Sequence, residues 1–429
     1  MNQTITYDTD AGDNGLLIVV DTRDQRESDA NTEELRLLAQ TANVAVVDEM
    51  HVRRLYPDAR FYIGSGNAEE ALMRVQESGA NVAIVGADLT PAQQRNLENA
   101  ISVRIVDRTQ LILDIFAQRA RTSEGKLQVE LAQLQYLLPR LSGKGIAMSR
   151  LGGAAGGGVA TRGPGETKLE TDRRRVRDRI ALLKDELEKV VKHRAVQNKA
   201  RRQLHIPGAA LVGYTSAGKS TLLNLLSGAN VEADARLFAT LDPTTRRVEL
   251  ADGVSALVSD TVGFIRNLPH HLVAAFKATL EEVIDSDFLI HVVDAGHHFA
   301  AEQRVAVASV LGDLGVQDKH IITVFNKSDV IKDQYELRRL VAQTPDSCYM
   351  SARTGEGRQY LETLIIKAIS RLMRRVDVIL PHNRGDLVAL CHEHGRILST
   401  EYQADGVHVL AEVPPDIASR FEPYAASTT

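Results

Sequence analysis

The feature that most constrains this chain is a phosphate-binding loop at residues 213–220. An apolar run precedes it and predicts a buried strand, and a run beginning at Thr221 predicts a helix. Glycine lets such a loop wrap a pyrophosphate with its amides, a lysine reaches the β- and γ-phosphates, and a serine hydroxyl ligates Mg²⁺. The predicted loop consists of Gly213, Tyr214, Thr215, Ser216, Ala217, Gly218, Lys219 and Ser220.

A second motif predicts recognition of guanine. The apolar run 321–325 ends in Asn326, Lys327, Ser328 and Asp329, which fits N-K-x-D. The Asp329 carboxylate can accept hydrogen bonds from N1–H and the 2-amino group of guanine, and adenine lacks that pair of donors. Such a site rejects the wrong base because a charged acceptor is left unpaired. A later strand ends in Ser351, Ala352 and Arg353, which we predict to be nucleotide-binding; we expect the backbone of Ser351 and Ala352 to contact the guanine carbonyl.

A third motif lies between these two and predicts the metal and γ-phosphate contacts. The apolar run 256–259 leads into Asp260, Thr261, Val262 and Gly263. We expect Asp260 to hold Mg²⁺ through water and the Gly263 amide to reach the γ-phosphate. Loss of that phosphate would then release the following segment, which is the usual two-state switch of such proteins.

The preceding loop, residues 237–246, is the candidate for the other switch. A threonine in this loop is expected to complete the Mg²⁺ shell, and Thr240 is favoured over Thr244 and Thr245. Phe238, Ala239 and Leu241 flank it and join the predicted nucleotide-binding residues. The predicted catalytic residues are therefore Lys219, Thr240 and Gly263, and the predicted metal ligands are Ser220, Thr240 and Asp260.

One position departs from many GTPases. A glutamine often follows D-x-x-G and orients the attacking water, but this chain has Phe264 followed by Ile265. Ser216 also stands where potassium-activated GTPases carry an asparagine. We therefore predict slow intrinsic hydrolysis that a partner accelerates.

These motifs together resemble translation-factor-related GTPases, and the finer pattern resembles the HflX family of ribosome-associated GTPases. The stretches that carry the resemblance are 237–245, 260–265 and, most specifically, G-P-G-E-T-K-L-E at 163–170. The resemblance implies binding to the large ribosomal subunit and its rRNA, and the splitting or rescue of stalled ribosomes under stress. A second function remains open: a nucleotide-gated RNA- or ribosome-binding protein in ribosome assembly, in which hydrolysis only resets the binding state.

The patterns along the chain predict an α/β fold with four domains. Strand and helix patterns alternate in an N-terminal α/β domain, 1–120, with a mostly parallel sheet. Leucines at steps of four and three predict a helical hairpin over 121–205, with Pro139 either kinking its first helix or ending it early. A P-loop GTPase domain with a doubly wound sheet follows over 206–373. A small C-terminal α/β domain, 374–429, completes the chain.

The hairpin carries two unusual stretches. Glycine occupies seven of the fourteen positions from Gly152 to Gly165, and residues 166–205 hold thirteen Lys or Arg against seven Asp or Glu. A flexible linker and a solvated helix face are the simple interpretations. With the resemblance, we expect a tip that orders on the ribosome and an arginine cluster, Arg173 to Arg179, that contacts rRNA phosphates.

Composition limits where the protein acts. Two cysteines, Cys348 and Cys391, argue against a disulfide scaffold and fit a reducing compartment. The polar N-terminus does not resemble a signal peptide, and apolar runs stay shorter than a membrane span. We expect a soluble, cytoplasmic monomer that binds GTP or GDP with Mg²⁺ and does not insert into membranes.

Overall fold

The structure is a computed structural model that describes residues 12–22, 24–54, 56–141, 168–203, 206–229, 237–266, 277–403 and 406–425. The described residues form two compact units. The first extends to Val191 and also contains the described part of Arg236–Asp242. The second contains the described residues from Lys192 onward, apart from that segment and Lys277.

The first unit begins with alternating strands and helices, as the sequence predicts. Its parallel sheet has the strand order β2-β1-β3-β4. The elements are β1 (Asn14–Asp21), α1 (Gln25–Thr41), β2 (Ala45–Arg53), α2 (Ser65–Ser78), β3 (Val82–Val85), α3 (Pro91–Ile101), β4 (Arg104–Asp107) and α4 (Arg108–Arg119).

Local chemistry fixes where these helices begin. Thr90 and Gln93 form a reciprocal capping box at the start of α3, and Pro91 occupies the first turn, where no amide donor is needed. Asp107 caps α4 by accepting from the Gln110 amide. Apolar residues on both faces of β1 and β3 are buried, as expected for a parallel sheet covered by helices.

The predicted helical hairpin is present. Its first helix, α5 (Ser123–Leu137), ends in a short 3₁₀ turn that contains Pro139, and its second helix is α6 (Lys168–Gln203). Arg179 makes a bidentate pair with Glu130, whereas Arg173 donates to the Leu141 carbonyl, so the two helices run antiparallel. The seam between them buries Leu131, Leu134, Leu137, Leu141, Val176 and Leu183.

The second unit contains the predicted doubly wound sheet, with the strand order β10-β9-β8-β5-β7-β6. Strand β6 is antiparallel and the other pairs are parallel. Its elements are β5 (Gly208–Gly213), α7 (Lys219–Ser227), β6 (Thr244–Glu249), β7 (Ser255–Asp260), α8 (Lys277–Asp285), β8 (Phe288–Asp294), α9 (Ala300–Asp313), β9 (His320–Asn326), α10 (Gln334–Gln343), β10 (Ser347–Tyr349) and α11 (Arg358–Leu372).

The end of the chain folds as a small antiparallel sheet in the order β11-β13-β12. Its elements are β11 (Arg374–Leu380), α12 (Gly385–His394), β12 (Arg396–Gln403), β13 (Gly406–Val413) and α13 (Pro415–Ala418). The pattern predicts β11, α12 and β13 but not β12. Residues 398–403 of β12 are exposed, so this edge strand lacks the alternation that marks a half-buried strand.

Two sequence features fall wholly or partly outside the described residues. The glycine-rich stretch Gly152 to Gly165 lies outside them, as does the G-P-G-E-T part of the family-like motif at 163–167. Within the described ranges, no helix combines the length and the apolar composition needed to cross a membrane.

The hairpin seam yields a stability prediction with a neighbouring control. Leu183 is fully buried in the seam, whereas Leu182 is 48% exposed. Leu183→Ala is expected to destabilise the hairpin by about 2–5 kcal/mol, because the substitution removes buried area and leaves a cavity. Leu182→Ala is expected to change stability by less than about 0.5 kcal/mol. Denaturation of the full chain, followed by amide exchange in α5, compares them; equal effects would contradict the packing described for this seam.

Candidate nucleotide site

The phosphate-binding loop connects a buried strand to a helix, as predicted. Strand β5 ends at Gly213 and α7 begins at Lys219, with Ser216 at the exposed tip between them. Gly218 has φ +94°, and a Cβ there would lie 2.3 Å from the Asn326 Nδ2 atom. Only glycine fits this position, because both the backbone conformation and the space exclude a side chain.

Lys219 lies inside the loop with its ammonium group turned back over it. Its Nζ donates to the carbonyls of Gly213 and Tyr214 at 3.1 and 2.9 Å. Burial lowers the pKa of Lys219 to about 8, and the Asp260 carboxylate opposes this shift. A group with a depressed pKa gains free energy when an anion approaches it, which suits this lysine for contact with polyphosphate.

Ser220 and Asp260 bring two oxygen donors together. The Ser220 hydroxyl donates to Asp260 Oδ2 at 2.6 Å. Asp260 ends β7 and is paired in register with Leu211 of β5, which carries the carboxylate to the same sheet edge as the loop. Hydroxyl and carboxylate oxygens are the ligands that Mg²⁺ takes in nucleotide sites. The Ser220 hydroxyl oxygen and the Asp260 carboxylate oxygens therefore fit a magnesium site.

The segment after Asp260 is paired with the phosphate-binding loop, which the sequence did not reveal. Thr215 N–H donates to the Phe264 carbonyl at 2.8 Å, and Phe264 N–H donates to the Gly213 carbonyl at 3.1 Å. The Tyr214 hydroxyl accepts from the backbone N–H of Arg266 at 3.0 Å. Three backbone donors thus tie the loop to residues 264–266, so movement of either segment is coupled to the other.

Phe264 is buried rather than directed toward solvent. Phe264 and Ile265 are each 1% exposed. Their side chains pack in the interior, so the position after D-x-x-G supplies neither a donor nor an acceptor for water. Gly263 lies close to the loop: a Cβ added there would be 2.8 Å from Thr215 Cγ2 and 3.1 Å from Lys219 Nζ.

Asn326 joins the base-reading motif to the phosphate-binding loop. Its Nδ2 donates to the Ala217 carbonyl at 2.8 Å, and its Oδ1 accepts from the Ala352 amide at 2.9 Å. Lys327, with φ +63°, donates to Asp294 Oδ2 at 2.6 Å. The three predicted stretches therefore meet at the carboxyl ends of β5, β9 and β10.

Asp329 is held by its neighbours. A hydrogen bond with the Ser351 side chain and the positive charge of Arg353 hold the pKa of Asp329 below its usual value. Arg353 also forms an ion pair with the Asp329 carboxylate. The sequence predicts Arg353 as a nucleotide-binding residue but gives its guanidinium no role; in the structure the guanidinium contacts the Asp329 carboxylate. Ser328, which precedes Asp329 in the chain, has a buried hydroxyl without a hydrogen-bond partner among the described residues.

The predicted switch residues of the preceding loop lie in the first unit. They are Phe238, Ala239, Thr240 and Leu241. The Phe238 ring packs edge-on against Phe116, with centroids 4.7 Å apart. Asp242 accepts from the backbone N–H groups of Arg121 and Thr122, each at 2.9 Å, so its carboxylate anchors the segment.

The two other threonine candidates do not lie in a loop. Thr244 and Thr245 begin strand β6, where they pair in register with Asp260 and Ser259. The Thr245 hydroxyl shares a 2.7 Å hydrogen bond with Ser259 Oγ. The predicted loop therefore ends at Pro243. Its last residues read as a polar loop in the sequence because β6 is the antiparallel edge strand of the sheet and is only partly buried.

Comparison with known families matches this geometry. The profile for the 50S ribosome-binding GTPase domain matches residues 208–327. The profiles for the GTP-binding GTPase N-terminal and middle regions match residues 29–117 and 119–201. The fold and these matches define a P-loop GTPase that hydrolyses GTP.

Individual relatives narrow the class. The GTPase HflX of Lacrimispora saccharolytica is 45% identical over 404 residues, covering 94% of each chain. That of Escherichia coli K12 is 41% identical over 399 residues, covering 92% of each chain. This chain belongs to the HflX family of GTPases. Among solved structures, a GTP-binding protein from Sulfolobus solfataricus in complex with GDP has 24% identity and a TM-score of 0.44, covering 84% of this chain and all of that one.

Asp329 gives the sharpest test of base recognition. Asp329→Asn is expected to weaken GTP binding roughly 10- to 100-fold, because hydrogen bonds to a charged acceptor are lost, and to improve binding of xanthosine triphosphate. The exposed Asp318→Asn, at the opposite end of β9, serves as the charge-matched control. Titrations with GTP, xanthosine triphosphate and ATP measure the change. Equal affinity of the unaltered protein for ATP and GTP would contradict this role.

Proposed function

We propose that this GTPase binds the large ribosomal subunit and uses GTP to split or rescue stalled ribosomes under stress. The carrying observation is that the GTPase domain, matched by the 50S ribosome-binding GTPase profile, sits in a chain whose relatives are HflX proteins along nearly its whole length. We further propose a cytoplasmic monomer with domains at 1–120, 121–205, 206–373 and 374–429.

The site residues divide the work of GTP binding in this proposal. Lys219 and the loop amides hold the β- and γ-phosphates, and the Asp329 carboxylate reads guanine. Ser220 and Thr240 would ligate Mg²⁺ directly, and Asp260 would hold it through water. The bound ion would supply positive charge that stabilises the phosphates during hydrolysis. The Gly263 amide contacts the γ-phosphate and so makes the segment through Arg266 sensitive to hydrolysis.

The hairpin offers the surface for rRNA, although not with every arginine predicted. Arg173 and Arg179 are engaged by Leu141 and Glu130 within the hairpin. Arg174 and Arg175 are exposed; the Arg175 side chain is 75% exposed and reaches Asp172 only at 4.0 Å. We therefore assign the RNA contacts to Arg174 and Arg175, because an exposed guanidinium can reach and neutralise a phosphate.

A second function has support from Phe264. A buried phenylalanine in place of a water-orienting residue favours slow turnover. A slow GTPase can serve as a nucleotide-gated RNA- or ribosome-binding protein in ribosome assembly, with hydrolysis only resetting the binding state. The two functions differ in whether bound protein separates assembled ribosomes.

Salt dependence tests the RNA surface. In Arg174→Gln and Arg175→Gln, each lost phosphate contact is expected to reduce the log–log salt slope of ribosome binding by roughly 0.7 to 0.9. Arg338→Gln and Arg339→Gln, which remove exposed charges from α10, are the control. Binding is measured by sedimentation with large subunits at several salt concentrations. An unaltered slope in the Arg174 and Arg175 variants would return these residues to a solvated helix face.

Light scattering of intact ribosomes separates the two functions. The proposal predicts that the protein with GTP, or with a non-hydrolysable analogue, lowers the scattering as subunits part, whereas GDP leaves it unchanged. Lys219→Ala, which removes a phosphate contact, is expected to abolish the effect. Binding that requires GTP but leaves ribosomes intact would favour the assembly function, and GTP-independent binding would contradict both.

A further inference from the structure

We propose that the Thr215 hydroxyl orients the water that attacks GTP. The reaction needs such a group, and the usual position lacks one because Phe264 and Ile265 are buried apolar side chains. Thr215 is 6% exposed, and its Oγ1 is a buried atom without a hydrogen-bond partner among the described residues. Burying a hydroxyl without a partner is costly, so a hydroxyl in this condition points to a partner that arrives with the substrate.

Two other hydroxyls close to the phosphate-binding loop have hydrogen-bond partners within the described part of the chain, unlike that of Thr215. The Thr261 hydroxyl donates to the Leu211 carbonyl at 2.6 Å, and the Ser220 hydroxyl donates to Asp260 at 2.6 Å. Thr261 thus has a structural role, and Ser220 is committed to the magnesium donors. The Thr215 hydroxyl stays available, although its backbone N–H is held by the Phe264 carbonyl. The backbone bond fixes the residue while leaving the side chain to serve chemistry.

The position of Thr215 fits this role. A Cβ added to Gly263 would lie 2.8 Å from Thr215 Cγ2, 2.9 Å from Thr215 Cα and 3.1 Å from Lys219 Nζ, so Thr215, Gly263 and the lysine ammonium lie close together. The side chain therefore stands where the γ-phosphate contacts of the loop and of the D-x-x-G segment converge. A hydroxyl can accept from one group and donate to another, so it can hold a water in line with the γ-phosphorus.

The step balances without an additional reactant. The water oxygen bonds to the γ-phosphorus as the bond from that phosphorus to the β–γ bridging oxygen breaks. The bond's electron pair leaves with GDP, and the water's protons finish on the released phosphate and solvent. Thr215 retains its own proton throughout, because an aliphatic hydroxyl is too weak an acid and base to exchange it in this step. Its contribution is orientation.

Thr215→Val removes the hydroxyl with nearly the same shape, whereas Thr215→Ser keeps it. The expected result for Thr215→Val is a fall in the single-turnover rate on the order of 10- to 100-fold, as for a misplaced reactant, with GTP and GDP affinities within about twofold. Thr215→Ser is expected to retain most of the rate. The buried Thr323→Val, on β9, is the control and is expected to leave the rate unchanged.

Rates are measured with and without large ribosomal subunits, so that loss of partner stimulation is distinguished from loss of the chemical step. A melting temperature close to that of the unaltered protein establishes that each variant folds. Three outcomes would overturn the proposal: an unchanged rate in Thr215→Val, an equal weakening of GTP affinity and rate, or a Thr215→Ser variant as slow as Thr215→Val. The second outcome would assign the hydroxyl to nucleotide binding, and the third would assign the effect to shape.

Discussion

The Asn326 side chain links the segments that form the nucleotide site. Its amide donates to the Ala217 carbonyl of the phosphate-binding loop and accepts from the Ala352 backbone. Three segments far apart in sequence are thereby fixed at one sheet edge, and Gly218 is required so that the amide can approach the loop. Losing either hydrogen bond would leave a buried polar group unsatisfied, which costs free energy, so the contacts of Asn326 resist displacement. The phosphate-binding loop and the base-reading motif are thus held in a fixed position relative to each other.

A second junction makes the site responsive. The Phe264 backbone pairs with the loop on both sides of Tyr214, and the Tyr214 hydroxyl holds the Arg266 amide. The segment that follows Asp260 therefore cannot shift without disturbing the loop that holds phosphate. In the function proposed above, this pairing is the route by which hydrolysis would move the segment. The same pairing places Phe264 in the interior, where it cannot act on water, so the chemistry must draw on another group or on a partner.

The sequence predicted the fold well where strong periodicity or a chemical motif was present. The leucine seam of the hairpin follows from spacing, because burial on one face imposes a period. The parallel strands follow from continuous apolar runs, and the phosphate-binding loop follows from its fixed motif positions. Strands β6 and β12 escaped prediction because each is an edge strand with much of its surface exposed. An edge strand is defined by the backbone of its neighbour, and the pattern of its own side chains carries little of that information.

The site residues also differ in how far the sequence could predict them. Asn326 and Asp260 lie beside the phosphate-binding loop, where their motifs predict them, and their roles toward guanine and metal stay predictions. The Arg353–Asp329 pair, the Lys327–Asp294 pair and the Tyr214–Arg266 contact depend on which side chains the fold brings together. The arginine cluster shows the converse: Arg179 and Arg175 look alike in sequence, yet Arg179 pairs with Glu130 at 2.7 Å while the Arg175 side chain is 75% exposed.

We propose that a ribosomal partner accelerates a GTPase in which Phe264 occupies the usual position of the water-orienting residue. Steady-state GTP turnover, titrated with large subunits and separately with small subunits, tests this most directly. We expect a basal turnover rate on the order of 10⁻⁴ to 10⁻³ per second and a rise of ~10³-fold or more with large subunits. Rapid turnover by the isolated protein, or a rate that large subunits leave unchanged, would contradict it.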